Sequence, residues 1–161
     1  MPRRRGFTLI ELLVVVAIIG IIVAIVIVNL FNAIQRARQK RSMGDMHTIA
    51  VALESYATDQ NYYPAAAALA LPSGLALPTG TIGAIAGSIS PTYIRVVPFQ
   101  DGWNSYFLYG TSPSKSDFAL CSSGADGVPE TSPVGGATTN FNADIILVNG
   151  AFVQFPDGAQ H

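Results

Sequence analysis

The feature that most constrains this chain is an apolar run that begins at Phe7 and continues to Val28. From Leu12 to Val28 none of the 17 side chains is polar. As a helix these residues would extend about 25 Å, and the flanking apolar residues bring the run past the roughly 20 that cross a bilayer core. A helix of a water-soluble protein normally keeps one polar face. The run therefore predicts a transmembrane helix over about residues 7–31.

The flanks of this run indicate that the helix is retained. Three arginines, Arg3 to Arg5, and Gly6 precede it, so a short cationic segment and a small residue stand before the apolar run. An ordinary secretory signal has a small-residue cleavage site after its apolar region. The sequence Val28-Asn29-Leu30-Phe31 is too bulky for such a site. We therefore expect the segment to remain in the mature protein.

Glu11 is the only charged residue within the apolar run. A carboxylate at the centre of a membrane helix costs about 2.5–3.5 kcal/mol on insertion scales, so such a group usually has a partner. Two interpretations are open at this point. Glu11 lies close enough to the membrane interface to stay hydrated, or it pairs with a positive charge from another molecule.

Helical periodicity continues beyond the membrane segment. One apolar stripe recurs at spacings of three and four residues, formed by Met46, Ile49, Ala50, Leu53 and Ala57. The sequence Asn61-Tyr62-Tyr63-Pro64 ends the pattern, because the residue before proline avoids helical angles. The sequence predicts one helix over residues 7–60, about 80 Å long, with an amphipathic part over about 32–60.

Charge is divided unevenly along the chain. A basic cluster follows the apolar run and consists of Arg36, Arg38, Lys40 and Arg41. It is either a helix face that meets lipid headgroups or a surface for pairing between subunits. Because it competes with the N-terminal arginines, charge counting leaves the membrane orientation open. From Ser42 onward two basic residues oppose nine acidic ones, a net charge of −7. We expect no nucleic-acid partner for so acidic a region.

The second half of the chain predicts a globular head over residues 61–161. Residues 60–94 carry no charge and are rich in glycine and proline, which predicts a long loop with a helical turn at Ala65 to Leu71. Apolar runs that follow predict a small antiparallel sheet packed on the amphipathic helix. The predicted strands are Tyr93–Val97, Ser105–Tyr109, Phe118–Ser122, Ile145–Val148 and Ala151–Phe155, with Asn149-Gly150 as a two-residue hairpin turn. Cys121 is the only cysteine, so no intrachain disulfide can form.

The sequence Gly6-Phe7-Thr8-Leu9-Ile10-Glu11 after three arginines closely resembles the class III signal of type IV pilins and type II secretion pseudopilins. The resemblance implies that a prepilin peptidase cleaves between Gly6 and Phe7, removes residues 1–6 and methylates the new amine of Phe7. It places the N-terminus in the cytoplasm and the head in the periplasm. It also implies that Glu11 pairs with the Phe7 amine of a neighbouring subunit during filament assembly.

Motifs in the head resemble the major pseudopilin of type II secretion. They are Tyr93-Ile94-Arg95-Val96-Val97-Pro98, Asp101-Gly102-Trp103 with Tyr106, Asp117-Phe118, Ser122-Ser123-Gly124-Ala125-Asp126-Gly127-Val128-Pro129-Glu130 and Ala143-Asp144-Ile145. In that family the loop between the last two motifs binds calcium. Matched residue by residue, Asp126 and Asp144 would supply carboxylates, and carbonyls near Ser123 and Val128 would complete the site. The open alternative is a turn rich in glycine and aspartate without metal.

This chain departs from the pseudopilin pattern in three places. The segment between Asp126 and Asp144 is longer than usual, so the register of the calcium ligands is open. Val28 stands where proline is common, and a hairpin extends past the calcium loop. These differences also suit a surface type IV pilin that shares the same N-terminal segment.

The sequence predicts an α+β pilin fold and a non-enzymatic filament subunit, since His47 and His161 offer no evident base to a serine or cysteine. The favoured role is the main subunit of the type II secretion pseudopilus, anchored in the bacterial inner membrane. Its expected partners are copies of itself, minor pseudopilins, the prepilin peptidase and an inner-membrane assembly platform. The alternatives are a type IV pilus subunit for adhesion, motility or DNA uptake, and a monomeric membrane-anchored binding domain.

Overall fold

The structure is a computed structural model, and it describes residues 6–66, 80–130 and 133–158. The chain divides into two compact units, Met1–Arg36 and Ala37–His161. A single helix, α1, runs over Leu9–Gln60 and contributes to both. It ends at Gln60, as the sequence predicted.

The first unit consists of the apolar part of α1. Every described side chain from Phe7 to Ile34 is exposed, although most are leucine, isoleucine or valine. The helix is long and apolar enough to cross a membrane by length and composition. Among the described residues of this unit nothing covers the apolar surface, so that surface is available to lipid or to other chains.

The second unit buries one face of the remaining part of α1. The predicted stripe is buried at Met46, Ile49, Ala50 and Leu53, and Ala57 is half-buried. The stripe packs into a core that also includes Phe107, Tyr109, Phe118, Leu120, Ile145 and Leu147. The amphipathic half of the helix and the sheet therefore bury each other's apolar faces, as predicted.

The described residues of the head form six short strands and two short helical segments. After α1 come β1 (Gly80–Thr81), a 3-10 turn (Ile82–Ala84), α2 (Ala86–Ile89), β2 (Leu108–Thr111), β3 (Phe118–Ser122), β4 (Gly136–Thr138), β5 (Ile145–Val148) and β6 (Ala151–Pro156). The six strands form one sheet in the order β1-β2-β3-β5-β6-β4. All neighbours are antiparallel except β4 and β6, which are parallel.

The predicted hairpin is confirmed. Val148 pairs with Ala151 across Asn149-Gly150, and both turn residues have positive φ, 48° and 82°. These angles suit the two-residue hairpin turn that asparagine and glycine favour. The Asn149 side chain also accepts a hydrogen bond from the Phe118 amide at 2.9 Å, which joins the turn to β3.

One strand prediction was wrong, and the position of a second was correct only in part. Tyr93–Val97 is irregular, because the amides of Tyr93 and Ile94 both donate to the Ile89 carbonyl and turn the chain. The second strand lies at Leu108–Thr111 rather than Ser105–Tyr109. Upstream of it the Asp101 carboxylate accepts the amides of Trp103 and Ser105, both at 2.9 Å, and holds those residues in a turn.

Other differences concern short elements. Strands β1 and β4 were not predicted, and β1 with the two helical segments lies inside the expected long loop. Of the helical turn predicted at Ala65 to Leu71, Ala65 and Ala66 are not helical, and the rest lies outside the described residues.

The Asp101-Gly102-Trp103 motif fastens the head to α1. The Gly102 amide donates to the Ser42 hydroxyl at 2.9 Å, and a Cβ on Gly102 would collide with the carbonyl oxygen of Arg38. The other side of the motif is tied to β3, because the buried Ser122 hydroxyl donates to Asp101 at 2.6 Å. Only glycine allows so close an approach of the two backbones.

Candidate functional site

The start of α1 forms a capping arrangement around Glu11. The Thr8 amide and hydroxyl both donate to Glu11 Oε2, at 2.9 and 2.7 Å, and the Glu11 amide donates to Thr8 Oγ1 at 3.3 Å. Reciprocal bonds of this kind satisfy donors at a helix start that have no partner within the helix. The first turn also favours a negative charge because of the helix dipole. Glu11 therefore has an intramolecular partner, which sequence reasoning had not identified.

The proposed processing site lies immediately before this turn. Gly6 and Phe7 are exposed, and 74% of the Phe7 surface is accessible. Both precede the first helical residue, Leu9. The Gly6–Phe7 bond is therefore accessible in the described chain. Cleavage there and methylation of Phe7 remain predictions.

The loop between β3 and β5 holds the predicted calcium residues. Its two ends are tied together because the Ala125 amide donates to the Phe141 carbonyl at 2.9 Å. Gly124 has φ +63°, and a Cβ there would lie 2.5 Å from the Asn142 carbonyl oxygen. The loop thus folds back on itself and brings the Gly-Ala-Asp-Gly turn to the segment that leads into β5.

Asp144 is the buried carboxylate of this loop. It has no exposed surface, and its Oδ2 atom accepts the Glu130 amide at 2.9 Å and the Cys121 thiol at 3.3 Å. Its Oδ1 atom is buried and accepts no hydrogen bond within the described chain. Burial, and to a smaller degree the charges of Glu130 and Asp126, raise the pKa of Asp144. A buried oxygen without a partner is rare, and a bound cation would satisfy it.

The other predicted calcium residues of this loop lie in different environments. Ser123 is buried, whereas Asp126 and Val128 are exposed. Asp126 Oδ1 accepts the Val128 amide at 3.1 Å, which closes a short turn. Within the described residues no three His, Cys, Asp or Glu side chains converge as a metal cluster. A calcium ion held here would therefore need backbone carbonyls or water as well, and calcium commonly takes such oxygen ligands.

Sequence reasoning did not single out two residues that contact Asp144. Glu130 contacts it through its amide, and Gln154 of β6 donates to the Asp144 carbonyl at 3.0 Å and to Glu130 Oε2 at 2.8 Å. Gln154 stands 24 residues from Glu130, so no local spacing marks the pair. The one available signal was a glutamine on the buried face of a predicted strand.

The geometry now defines a class of protein: a membrane-type N-terminal helix whose second half packs on a small, mostly antiparallel sheet, as in pilin-like proteins. Comparison with known families agrees with this. Residues 1–27 match the prokaryotic N-terminal methylation motif. Residues 29–141 match the family model of type II secretion system (T2SS), protein G. The chain therefore belongs to the type II secretion system protein G family.

Relatives in several bacteria support this membership. The chain is 30% identical over 140 residues to type II secretion system core protein G of Klebsiella pneumoniae, which covers 81% of this chain and 91% of the relative. It is 35% identical over 129 residues to the protein of that name in Pseudomonas aeruginosa, covering 79% and 89%. The Vibrio cholerae protein of that name is 29% identical over 153 residues, covering 88% and 94%.

Proposed function

We propose that this chain is the main structural subunit of a type II secretion pseudopilus, a filament that assembles through α1 and supports protein export across the outer membrane. The main support for the proposal is the match of residues 29–141 to the protein G family. The exposed apolar half of α1 supports it, because such a surface suits both a membrane and a bundle of identical helices.

Processing and assembly use the start of α1. A prepilin peptidase cleaves between Gly6 and Phe7 and methylates the Phe7 amine. Glu11 then exchanges its intramolecular partner, Thr8, for the Phe7 amine of a neighbouring subunit in the filament. A carboxylate in an apolar bundle needs a partner, and the Thr8 bonds satisfy it before assembly.

The proposed topology follows from this processing. The helix crosses the inner membrane once, with its N-terminus in the cytoplasm and the head in the periplasm. Minor pseudopilins and an inner-membrane assembly platform are the other partners of the subunit. The role is structural, without catalysis.

We also propose a calcium site in the β3–β5 loop. Asp144 would hold the ion with its buried carboxylate, and Asp126 and carbonyls near Ser123 and Val128 would contribute further oxygens. The buried, unpartnered Oδ1 atom of Asp144 supports this assignment. Bound calcium would neutralise the negative charge of a loop that has no basic side chain within its described part.

Complementation of a deletion strain tests the main proposal. Wild-type protein should restore both export of the secreted proteins and filaments on overproduction. Glu11→Gln should lose both, although the protein is inserted and its head is folded. Long surface fibres with unchanged export would instead favour a type IV pilus, and a protein that never polymerises would favour an anchored monomer. Export that Glu11→Gln restores fully would contradict the assembly role of Glu11.

A further inference from the structure

Three exposed basic side chains lie within four residues of α1, namely Arg38, Lys40 and Arg41. Arg38 stands seven residues after Phe31, the end of the predicted membrane segment. Seven residues correspond to roughly 10 Å of α-helix, and the headgroup layer on one side of a bilayer is roughly 5–8 Å deep. Long basic side chains extend along a helix toward such a layer. The three cations can therefore reach the phosphates at the membrane surface.

The three cations lie around the helix rather than on one side of it. Because a helix turns about 100° per residue, Lys40 lies about 160° from Arg38 and about 100° from Arg41, while all three lie within about 4.5 Å along the axis. Gln39 and Ser42, both buried, occupy the remaining side. A protein partner contacts one side of a helix, whereas a layer of lipid phosphates surrounds the helix at one height. The arrangement therefore favours a membrane surface.

The charge of this cluster is not neutralised within the chain. Among the described residues the one ion pair joins Arg41 Nε to Asp45 Oδ2 at 3.5 Å. The side chains of this pair are 64% and 30% exposed, and a solvent-exposed pair of this kind is weak. Arg38 and Lys40 have no acidic partner in the described part of the chain. Their positive charge is thus available to an anion outside the molecule.

The head is attached to α1 within this same stretch. The Gly102 amide donates to the Ser42 hydroxyl at 2.9 Å, and that hydroxyl donates to the Arg38 carbonyl at 3.0 Å. From Ser42 onward the net charge is −7. An anionic membrane surface repels so acidic a domain and attracts basic residues. The cluster therefore supplies positive charge at the point where an acidic head meets the membrane segment.

We propose that Arg38, Lys40 and Arg41 form a binding site for the phosphate headgroups of anionic phospholipids, of which phosphatidylglycerol is a simple example. In the proposed topology this site contacts the periplasmic leaflet of the inner membrane. The inference rests on the proposed membrane anchoring. It is independent of the calcium site and of filament assembly.

Native mass spectrometry of the full-length protein in neutral detergent micelles tests the inference. Phosphatidylglycerol and phosphatidylcholine are added in equal amounts, and the lipid that stays bound to the subunit is identified by its mass. Every protein compared carries glutamine in place of Arg3, Arg4 and Arg5, so that the N-terminal arginines do not bind the same lipid. Wild type in this background should retain phosphatidylglycerol preferentially, and raising the salt concentration should reduce the preference.

Two double variants remove the same charge from different places. Arg38→Gln with Lys40→Gln should reduce the preference for phosphatidylglycerol roughly tenfold or more. Both side chains are exposed, so the head should melt as in wild type. The matched control is Arg95→Gln with Lys115→Gln, which removes two exposed cations from the head. It should keep the preference within about twofold, because those residues lie outside the cluster. Equal losses in the two double variants would show an effect of net charge alone and overturn the inference.

Three further results separate the site from its alternatives. Equal retention of the two lipids by wild type would overturn the inference. Displacement of phosphatidylglycerol by inorganic phosphate at the same phosphate concentration would show a site for free phosphate instead of lipid. A wild-type protein that stays dispersed without detergent would refute the membrane anchoring and this inference together. Loss of export in a strain whose subunit still prefers phosphatidylglycerol would concern filament assembly and leave the lipid site standing.

Discussion

The two halves of α1 place the same residue type in opposite surroundings. Leu13, in the first unit, is 61% exposed, whereas Leu53, in the second, has no exposed surface. The second half buries its apolar stripe against the chain's own sheet. In the first half, the described apolar side chains have no such cover. The head thus buries its apolar side chains within one molecule, while the apolar half of α1 requires lipid or other subunits to bury its side chains.

Truncation of a leucine in each half gives the largest expected difference. Leu53→Ala should lower the free energy of unfolding of the head by about 2–5 kcal/mol, because it leaves a cavity in a packed core. Leu13→Ala should leave that value unchanged within error. Denaturant unfolding of the full chain in micelles, followed by Trp103 fluorescence, measures both. Equal losses in the two variants would show that the halves are not independent in stability.

A second comparison uses Gly44, which lies in α1, and Gly102, which lies in the Asp101-Gly102-Trp103 motif that contacts α1. Gly102→Ala should destabilise the head by about 1–3 kcal/mol, because the new Cβ meets the Arg38 backbone. Gly44→Ala meets nothing within 4 Å and should stabilise the helix by about 0.5–1 kcal/mol. Melting temperatures of the two variants should therefore move in opposite directions. A shift of Gly102→Ala to higher temperature would contradict the close approach.

The first turn of α1 is an exception within the exposed half, because Thr8 and Glu11 stabilise it by hydrogen bonds to each other. Thr8→Ala removes the hydroxyl that bonds Glu11 and should destabilise the first turn by about 0.5–2 kcal/mol. Amide hydrogen exchange at Glu11 in micelles should become faster, and head melting should not change. Thr8→Ser keeps the hydroxyl and is the control. Unchanged exchange in Thr8→Ala would remove the capping role.

The smallest expected effect concerns pH and the hairpin turn of the head. Hydrogen bonds from the Ser116 hydroxyl and the Asn149 amide lower the pKa of Asp117. A lowered pKa adds stability above the value of the unfolded chain, about 3.9, and that stability is lost as pH falls through the folded value. Asp117→Asn should therefore melt below wild type near neutral pH. The difference should shrink as pH falls from the unfolded value through the folded value of Asp117, and a constant difference at all pH values would contradict this account.

Elements with a strong local pattern could be predicted from the sequence. The buried stripe of α1 and its end before Pro64 follow from periodicity and proline chemistry, and the Asn149-Gly150 turn follows from backbone angles. Strands β1 and β4 could not be found, because Gly80-Thr81 and Gly136-Ala137-Thr138 have no alternation of apolar and polar residues. Only their distant pairing partners make them strands.

The candidate site divides in the same way. The Ala143-Asp144-Ile145 motif identified Asp144 in the sequence. The burial of Asp144 and its hydrogen bonds depend on the packing of β3, β5 and β6, which the sequence did not show. Glu130 and Gln154 meet through sheet register, with an irregularity between Ile146 and Leu147 that no sequence rule indicated. The Thr8–Glu11 arrangement, by contrast, has a local spacing of three residues, which is a known capping pattern and could have been read directly.

The buried position of Cys121 has a consequence for how the head matures. The thiol is inaccessible and donates to Asp144, and burial, followed by the charge of that carboxylate, raises its pKa well above the ordinary value. Thiolate is the form that reacts with oxidants and alkylating reagents. The folded head should therefore withstand oxidising and reducing surroundings alike.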